Sequence, residues 1–574
     1  EIKGRSHRSP ACQTQAEEGM EVITSSPELE NLRRSIFELI LSEHPYFCLF
    51  CQEKTSCDQL KITMAKALEP GGCIFCPKDG DCEVQRVADY LKIKTVSYDF
   101  EDRKLALWQS DPFISHNPNL CLLCGRCVRV CAEVRGEYVL SFIQRGPRTA
   151  IGTFANRSLR EADCSFCGAC LEVCPTAAFY ERGVALAKNK QTYEQSFICP
   201  LCSSGCELKA EFLEDGQLRR IRPAAALGPS FNSGCVRGRF GLKEILARAD
   251  SQPAVKKETK LQPAIWSEAI QRVAQILKNH RPKEIALIFT EQFASDSLLA
   301  FLEFGQLLGI KNLFYFYPEV FLKKIADFED KYQVKLSRGI RLQRLAEFQT
   351  FVLVDCDLKS EALTWWLEVK KQLRKGARLV ILDSGLNRSE IAADLSLKCR
   401  PGKEPLALLS LLKQVAGKAS RLTFYPAYDK LQDGLKELSE EKLSQISGLQ
   451  IPDLNRATEI LRSNQPLVFI FGPRLLRQAH WLQSLAALWN LSLRLEAGLV
   501  PITSKINELL IEKLASRYGV RVVSDLDSLA QSLRNQEIKV LYIFGDLPLI
   551  EKPAWLIVQN QFRTGLAEQA EVFL

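Results

Sequence analysis

The chain has 574 residues, enough for several domains, and its 46% apolar and 25% charged content is that of an ordinary globular protein. A net charge of +8 spread over this length, with no long basic run, excludes a nucleic-acid-binding composition. No apolar stretch reaches the roughly 20 residues that cross a bilayer, and residues 1–20 lack the basic-then-apolar layout of a secretory signal. The 21 cysteines therefore read as reduced metal ligands in a cytoplasmic protein rather than as a disulfide framework. The chain opens on Glu1 and closes on what reads as a strand cut short, so both ends are expected to be trimmed.

Nineteen of the 21 cysteines fall in the first 235 residues. Cys12, in Ala11-Cys12-Gln13-Thr14, stands alone and by itself reads as a packed side chain. His44, Cys48, Cys51 and Cys57 form H-x3-C-x2-C-x5-C, and Cys73, Cys76 and Cys82 repeat C-x2-C-x5-C within CIFCPKDGDCEVQ. Mixed His/Cys sets at this spacing point to metal, with zinc the competing reading to an iron–sulfur cluster. Next come Cys121, Cys124, Cys127 and Cys131, then Cys164, Cys167, Cys170 and Cys174, two copies of C-x2-C-x2-C-x3-C, the second followed by Pro175. This is the two-cluster ferredoxin pattern, in which the fourth cysteine of each run ligates the other run's cluster. Thiolates at this spacing, duplicated 43 residues apart, favour iron–sulfur clusters over zinc or disulfides. Cys199, Cys202, Cys206 and Cys235 complete the series as C-x2-C-x3-C-x28-C.

These motifs carry a resemblance. ACQTQAEEGMEV, HPYFCLFC and the double ferredoxin run resemble the start of the large iron–sulfur subunit of NADH-quinone oxidoreductase (complex I). The electron-input region of iron-only hydrogenases and the alpha subunit of NAD-linked formate dehydrogenases are similar. The resemblance implies that Cys12 is the last ligand of a [2Fe-2S] cluster whose other ligands lie upstream of residue 1, and that His44, Cys48, Cys51 and Cys57 hold the next cluster. The second triad departs from that family, as though the His/Cys motif had been duplicated or split. Its fourth ligand is open: an outside ligand, a site-differentiated cluster, or a shared His44. ICPLCSSGC with NSGCVRGRFG resembles the [4Fe-4S] domain that opens molybdopterin oxidoreductases, except that Arg237 stands where catalytic relatives carry lysine.

Past residue 250 the texture changes. Apolar runs Glu284–Phe289, Thr350–Val354, Leu379–Leu382, Leu467–Phe471 and Val540–Phe544 predict buried strands, with helices over Asp296–Leu308 and Glu361–Leu373 between them. The alternation predicts a doubly wound α/β domain, and AIWSEAIQRVAQIL, CRPGKEPLALLSLL and LIVQNQFRTGLAEQAEVFL resemble the molybdopterin family further. The resemblance implies N-terminal ferredoxin-like iron–sulfur modules followed by a molybdopterin-oxidoreductase-like domain without its C-terminal cap. The expected domains are 1–30 (end of a [2Fe-2S] module), 31–105 (His/Cys module), 106–190 (two-cluster ferredoxin), 191–250 ([4Fe-4S] module) and 251–574 (vestigial molybdopterin-binding-like domain).

Against the catalytic relatives, Tyr315–Arg344 offers only Ser337 as a metal-ligating side chain, and Cys356 replaces a glycine-containing turn that approaches the pterin nucleotide, removing close backbone approach. Cys356 and Cys399 read as buried strand-end residues, and His116, His280 and His480 as packing or surface residues. Gly472 and Gly545 read as turns without a nucleotide fingerprint. The expected cofactors are four to five [4Fe-4S] clusters, a [2Fe-2S] cluster if its upstream ligands are present, and no molybdopterin. The expected function is a non-catalytic relay between a flavin-containing, NAD(P)H-oxidising subunit and a further redox subunit, with no membrane span of its own, in the cytoplasm or peripheral to a membrane complex. The alternative is a catalytic molybdenum or tungsten formate-dehydrogenase-like subunit. A hydrogenase is disfavoured because no cysteine set for its catalytic cluster follows the ferredoxin runs.

Overall fold

A computed structural model describes the chain apart from residues 6, 61–72, 74–75, 109, 185–191, 203, 225–233, 249–251, 291–294, 317–320, 335, 337–341, 417–438, 503–513, 515–516, 524–525, 549–552 and 561–563. Ser337 thus lies outside the described residues. Two compact units emerge: residues 1–195 with 210–220, and residues 196–209 with 221–574. None of the 21 cysteines is in a disulfide. No helix among the described residues is long and apolar enough to cross a membrane.

In the first unit, the helix Pro27–Leu41 starts on the Ser26 hydroxyl, which accepts from the Leu29 amide, with Pro27 in its first turn. Its apolar stripe buries Phe37 and Leu41 against Val84 and Ala88 of the helix Glu83–Tyr90, and Cys82 joins the same small core. Further on, two antiparallel ribbons, Ile114–His116 with Phe179–Glu181 and Ser141–Ile143 with Ala150–Gly152, flank the short helices Arg126–Arg129 and Ala169–Val173. His116 is 1% exposed and stacks on Phe179 with ring centroids 4.1 Å apart, so it serves packing; burial holds its pKa down at about 4.

Two sheets organise the second unit. The larger has eight strands, ordered Arg521–Val523, Asn312–Phe316, Ile285–Phe289, Val540–Phe544, Trp555–Gln559, Val572–Phe573, Ala254–Lys257 and Lys260–Pro263, parallel except for the last two, which pair antiparallel. The smaller is wholly parallel and is built from β1 (Thr350–Val354), β2 (Arg378–Asp383), β3 (Leu395–Lys398), β4 (Leu467–Phe471) and β5 (Gly498–Pro501). Its order, β3-β2-β1-β4-β5, is the doubly wound arrangement, and the direction of winding reverses between β1 and β4. β1 and β4 are apolar at nearly every position because helices cover both faces of a parallel sheet.

The expected strands are present, with edges shifted by a residue: Ile285–Phe289 and Arg378–Asp383 replace Glu284–Phe289 and Leu379–Leu382. The helix expected over Glu361–Leu373 is present but starts two residues later, at Leu363. A short turn of helix, Leu358–Glu361, ends at Ala362 (φ −145°), and a second helix runs Leu363–Leu373. The break turns the Glu361 carboxylate back to accept from the Asp357 amide and to meet Arg474. His280 anchors its own helix end through the Ile276 carbonyl, and His480 precedes the helix Trp481–Arg494.

Phe469 is fully buried in β4. Phe469→Ala is expected to cost about 3–5 kcal/mol, measured as a lowered denaturation midpoint.

Candidate metal centres

The two ferredoxin-type runs fold into matching loops. Leu123 (φ 52°) and Gly125 (φ 69°) in the first correspond to Phe166 (φ 50°) and Gly168 (φ 73°) in the second. Left-handed backbone at both places curls each loop inward, so that the amides of Leu123 and Phe166 donate to Sγ of Cys121 and Cys164, each at 3.4 Å. A methyl group added to Gly125 would lie 3.0 Å from the Phe142 ring, so the site needs glycine for space as well as for φ.

The eight thiols sort into two groups that cross the runs. Burial pushes Cys121 up to about 11, and the neighbouring Cys174 and Cys124 push it further. Cys127, pushed up to about 12 by burial, has Cys121, Cys174 and Cys124 as its sulfur neighbours. Cys131, by contrast, is raised to about 11 by burial and faces Cys167. Cys164 and Cys170 are both pushed well up, first by burial, with Cys167 and Cys131 beside each and Cys127 also near Cys170. Cys174 thus stands with the first run and Cys131 with the second. Cys174 accepts from the Phe179 amide at 3.5 Å, a further positive dipole on a sulfur.

Next to the first group lies a cavity walled by His44, Cys73, Cys76 and Cys82, together with Leu120 and Thr176. Leu120 precedes Cys121 and Thr176 follows Cys174, so this cavity and the first thiol group share a wall. Glu83, one residue past Cys82, ties them further: its amide donates to the Pro175 carbonyl, and its carboxylate receives Arg126 in a two-point ion pair at 2.6 and 3.0 Å. The His44 ring is 8% exposed, and burial holds its pKa down at about 4. The thiol of Cys73 is pushed upward by a hydrogen bond with Cys48 and then by burial. Cys48 rides on the one-turn helix Phe47–Phe50, Cys57 is buried on the helix Lys54–Leu60, and Cys51 is half-buried. Cys12 is exposed in a turn. Among the described residues, no three His, Cys, Asp or Glu side chains sit close enough to share a single metal ion.

In the second unit Cys199, Cys202, Cys206 and Cys235 are all buried. The Cys199 amide donates to the Cys206 carbonyl at 2.8 Å. Burial raises the Cys199 thiol to about 11, Cys202 and Cys235 add to the rise, and Arg237 opposes it. A methyl group on Gly238 would lie 3.1 Å from Sγ of Cys199, and one on Gly234 would lie 3.0 Å from Leu208, so GCVRG is spaced to bring a backbone against the sulfurs. Arg237 also donates to the Glu361 carbonyl at 2.9 Å.

That carbonyl belongs to the crevice beyond the carboxyl ends of β1 and β4, where doubly wound sheets receive ligands. Side chains fill it here. Asp355 leaves β1 in left-handed backbone (φ 43°), and Cys356 behind it is fully buried. A methyl group on Gly472, at the end of β4, would lie 2.5 Å from the Glu361 carboxylate and 3.4 Å from Cβ of Cys356. Arg474 spans the gap, with Nη2 2.7 Å from Asp383 and Nε 3.3 Å from Glu361. Asn387 donates to the Cys356 carbonyl and to Asp383. Burial, then the charges of Asp383 and Glu404, push Asp355 up to about 7. Cys399, just past β3, is buried, and its thiol is raised to about 12 by burial, then by Glu404 and Asp355. Sequence reasoning placed Cys356 in this turn but missed the acid–arginine network around it. The signal was an acid closing both β1 (VLVDC) and β2 (VILDS).

Family profiles match in three places: the NADH-quinone oxidoreductase subunit 3 ferredoxin-like domain over residues 111–180, the molybdopterin oxidoreductase Fe4S4 domain over 196–246, and the molybdopterin oxidoreductase profile over 251–574. An NADH-quinone oxidoreductase subunit of Rhizobium meliloti is 26% identical, across all of this chain and 68% of its own length. NADPH-Fe(3+) oxidoreductase subunit alpha of Geobacter sulfurreducens is 24% identical, across all of this chain and 70% of its own length. The NADP-reducing hydrogenase subunit HndD of Solidesulfovibrio fructosivorans is 30% identical, over 32% of this chain and 27% of its own length.

Two outcomes follow from this geometry. Gly238→Ala is expected to push Cys199 off its place and lower the iron bound per chain, while Gly565→Ala, with open space around it and no left-handed backbone, leaves iron unchanged; a colorimetric iron assay decides. For Asp355, the folded pKa of about 7 lies above the ordinary 3.8. The folded chain therefore holds this proton more tightly, and stability falls as pH rises from about 4 to about 7, by at most about 4 kcal/mol. Asp355→Asn removes that penalty, and the unpartnered Gln478 Oε1 can turn to meet the new amide. The variant should melt higher than the parent at pH 8, with the gap closing toward pH 5.

Proposed function

The chain belongs to the molybdopterin oxidoreductase family, and within it we propose a non-catalytic iron–sulfur relay subunit, placed between a flavin-containing NAD(P)H-oxidising partner and a further redox subunit. The observation that carries this reading is the crossed sorting of the eight ferredoxin-type thiols, with a third candidate site sharing a wall with the first. In this reading Cys121, Cys124, Cys127 and Cys174 hold one [4Fe-4S] cluster and Cys131, Cys164, Cys167 and Cys170 a second. Cys199, Cys202, Cys206 and Cys235 hold another, the His/Cys region contributes one or two more, and Cys12 closes a [2Fe-2S] site with ligands from upstream. The donor sets fit: soft thiols in fours, most of them buried or half-buried, with amides aimed at three of the sulfurs.

Such clusters supply one-electron chemistry over a range of about −700 to +450 mV, and a step of about 59 mV shifts a one-electron equilibrium tenfold. The chain's own contribution is burial and dipoles. The amides of Leu123, Phe166 and Phe179 stabilise negative charge on Cys121, Cys164 and Cys174, which favours the reduced state at those sites. The Arg126–Glu83 pair holds the wall between the first thiol group and the His/Cys cavity in register.

The α/β domain serves this reading as a scaffold. A pterin dinucleotide is large and anionic and needs close backbone approach at the crevice of the parallel sheet. Cys356, Glu361 and the Arg474–Asp383 pair occupy that ground, and Cys356 and Cys399 act as packing residues.

Cys127→Ser is expected to lower iron by about one cluster per chain and to stop reduction of an artificial acceptor, whereas Cys356→Ser keeps its full iron. Elemental analysis of the same preparations should find neither molybdenum nor tungsten at one per chain. Equal iron in both variants sinks the cluster assignment. Stoichiometric molybdenum or tungsten, or formate-dependent dye reduction by the chain alone, replaces the relay with a catalytic subunit.

A further inference from the structure

The His/Cys segment contains one motif twice. HPYFCLFCQEKTSC begins at His44, and EPGGCIFCPKDGDC begins 25 residues later, keeping the proline, all three cysteines and the phenylalanine between the first two. One feature is not repeated. Where the first copy has His44, the second has Glu69, which lies outside the described residues. The chain thus offers two cysteine triads and a single histidine.

We propose that His44 serves the second triad, so that a histidine-ligated [4Fe-4S] cluster is held by His44, Cys73, Cys76 and Cys82. This rests on the relay reading, which places clusters in this unit. Three observations carry the assignment. First, the cavity in this region is walled by His44 together with all three cysteines of the second copy, and not by Cys48, Cys51 or Cys57, the cysteines that follow His44 in its own copy. Second, His44 Nδ1 is buried with no hydrogen-bond partner among the described residues; an orphaned buried nitrogen is costly unless something binds the ring. Third, Cys82 caps the helix Glu83–Tyr90 and belongs to the core that also buries Phe37 and Leu41, three residues before His44. The packing that fixes Cys82 therefore also fixes the histidine. Local sequence spacing would instead join His44 to Cys48, but the chain folds Cys48 against Cys73, and Cys48 does not line the cavity. Cys48, Cys51 and Cys57 are then left as a triad without a protein imidazole.

The chain has five histidines, so isotopic labelling of histidine reports on few positions. Full-length chain grown on [15N]histidine, reconstituted anaerobically with iron and sulfide and reduced, should show nitrogen coupling to a cluster in pulsed EPR. That coupling should vanish in His44→Ala and in the Cys76→Ala/Cys82→Ala pair, and persist in the Cys51→Ala/Cys57→Ala pair. Because Cys82 and Cys57 are buried, Cys76→Ala and Cys51→Ala alone serve as milder variants. Unchanged signals from the ferredoxin-type clusters show in each case that the unit has folded. Coupling lost in the Cys51/Cys57 variants, kept in the Cys76/Cys82 variants, or absent from the parent overturns the assignment. Iron and sulfide content separates the two ideas: a parent with no clusters sinks the relay reading, whereas clusters without nitrogen coupling sink only this one.

Discussion

Burying many thiols in small groups is the constraint from which the rest of this protein follows. A thiolate is the ligand form, yet burial pushes Cys121, Cys127, Cys131 and Cys199 to about 11 or 12. Without a positively charged core to share, these sulfurs stay protonated, so cluster binding releases protons and contributes directly to folding. The positions of Gly125, Gly168 and Gly238 answer to that requirement, as do the left-handed Leu123 and Phe166. Leu123 and Phe166 each turn an amide onto a sulfur, Gly125 and Gly168 supply the left-handed turn beside them, and Gly238 brings close backbone against Cys199.

The parallel domain solves a different electrostatic problem. Its strands are stable because both faces are apolar, but the crevice past β1 and β4 collects strand-ending polar groups. Asp355, Asp383, Glu361 and Glu404 gather there, and Arg474 is the counter-charge that reaches the two nearest. Removing one partner from such a buried network leaves the others uncompensated, which costs far more than the net worth of the pairs. The crevice is therefore rigid, and Cys356 is sealed inside it. Arg237 extends the network's reach to the loop that carries Cys235.

Much was legible from residues alone. The C-x2-C-x2-C-x3-C runs pointed to groups of thiols drawn from both runs, and the fold sets Cys174 beside Cys121 and Cys131 beside Cys167. The apolar runs of β1 and β4 announced parallel strands, since only a sheet covered on both faces tolerates such continuous hydrophobicity. The late start of the helix Leu363–Leu373 was not legible: the pattern is helical from Glu361 on, but the Glu361 carboxylate is taken up by Arg474 and Asp357, 113 and 4 residues away in the chain.

The same division runs through the His/Cys segment. Spacing determined that seven ligand-type side chains lie there in a duplicated motif, and that only one is a histidine. Spacing could not decide which triad His44 faces, because sequence offset measures distance along the backbone alone. The tertiary structure brings His44 to the wall of one cavity with Cys73, Cys76 and Cys82, and the helix Pro27–Leu41 and the helix Glu83–Tyr90 share one apolar core. The crevice of the parallel sheet was decided in the same way. Sequence supplied the acids at the strand ends, and only the winding order, with β1 beside β4, set Arg474 across from Asp383 and filled the space.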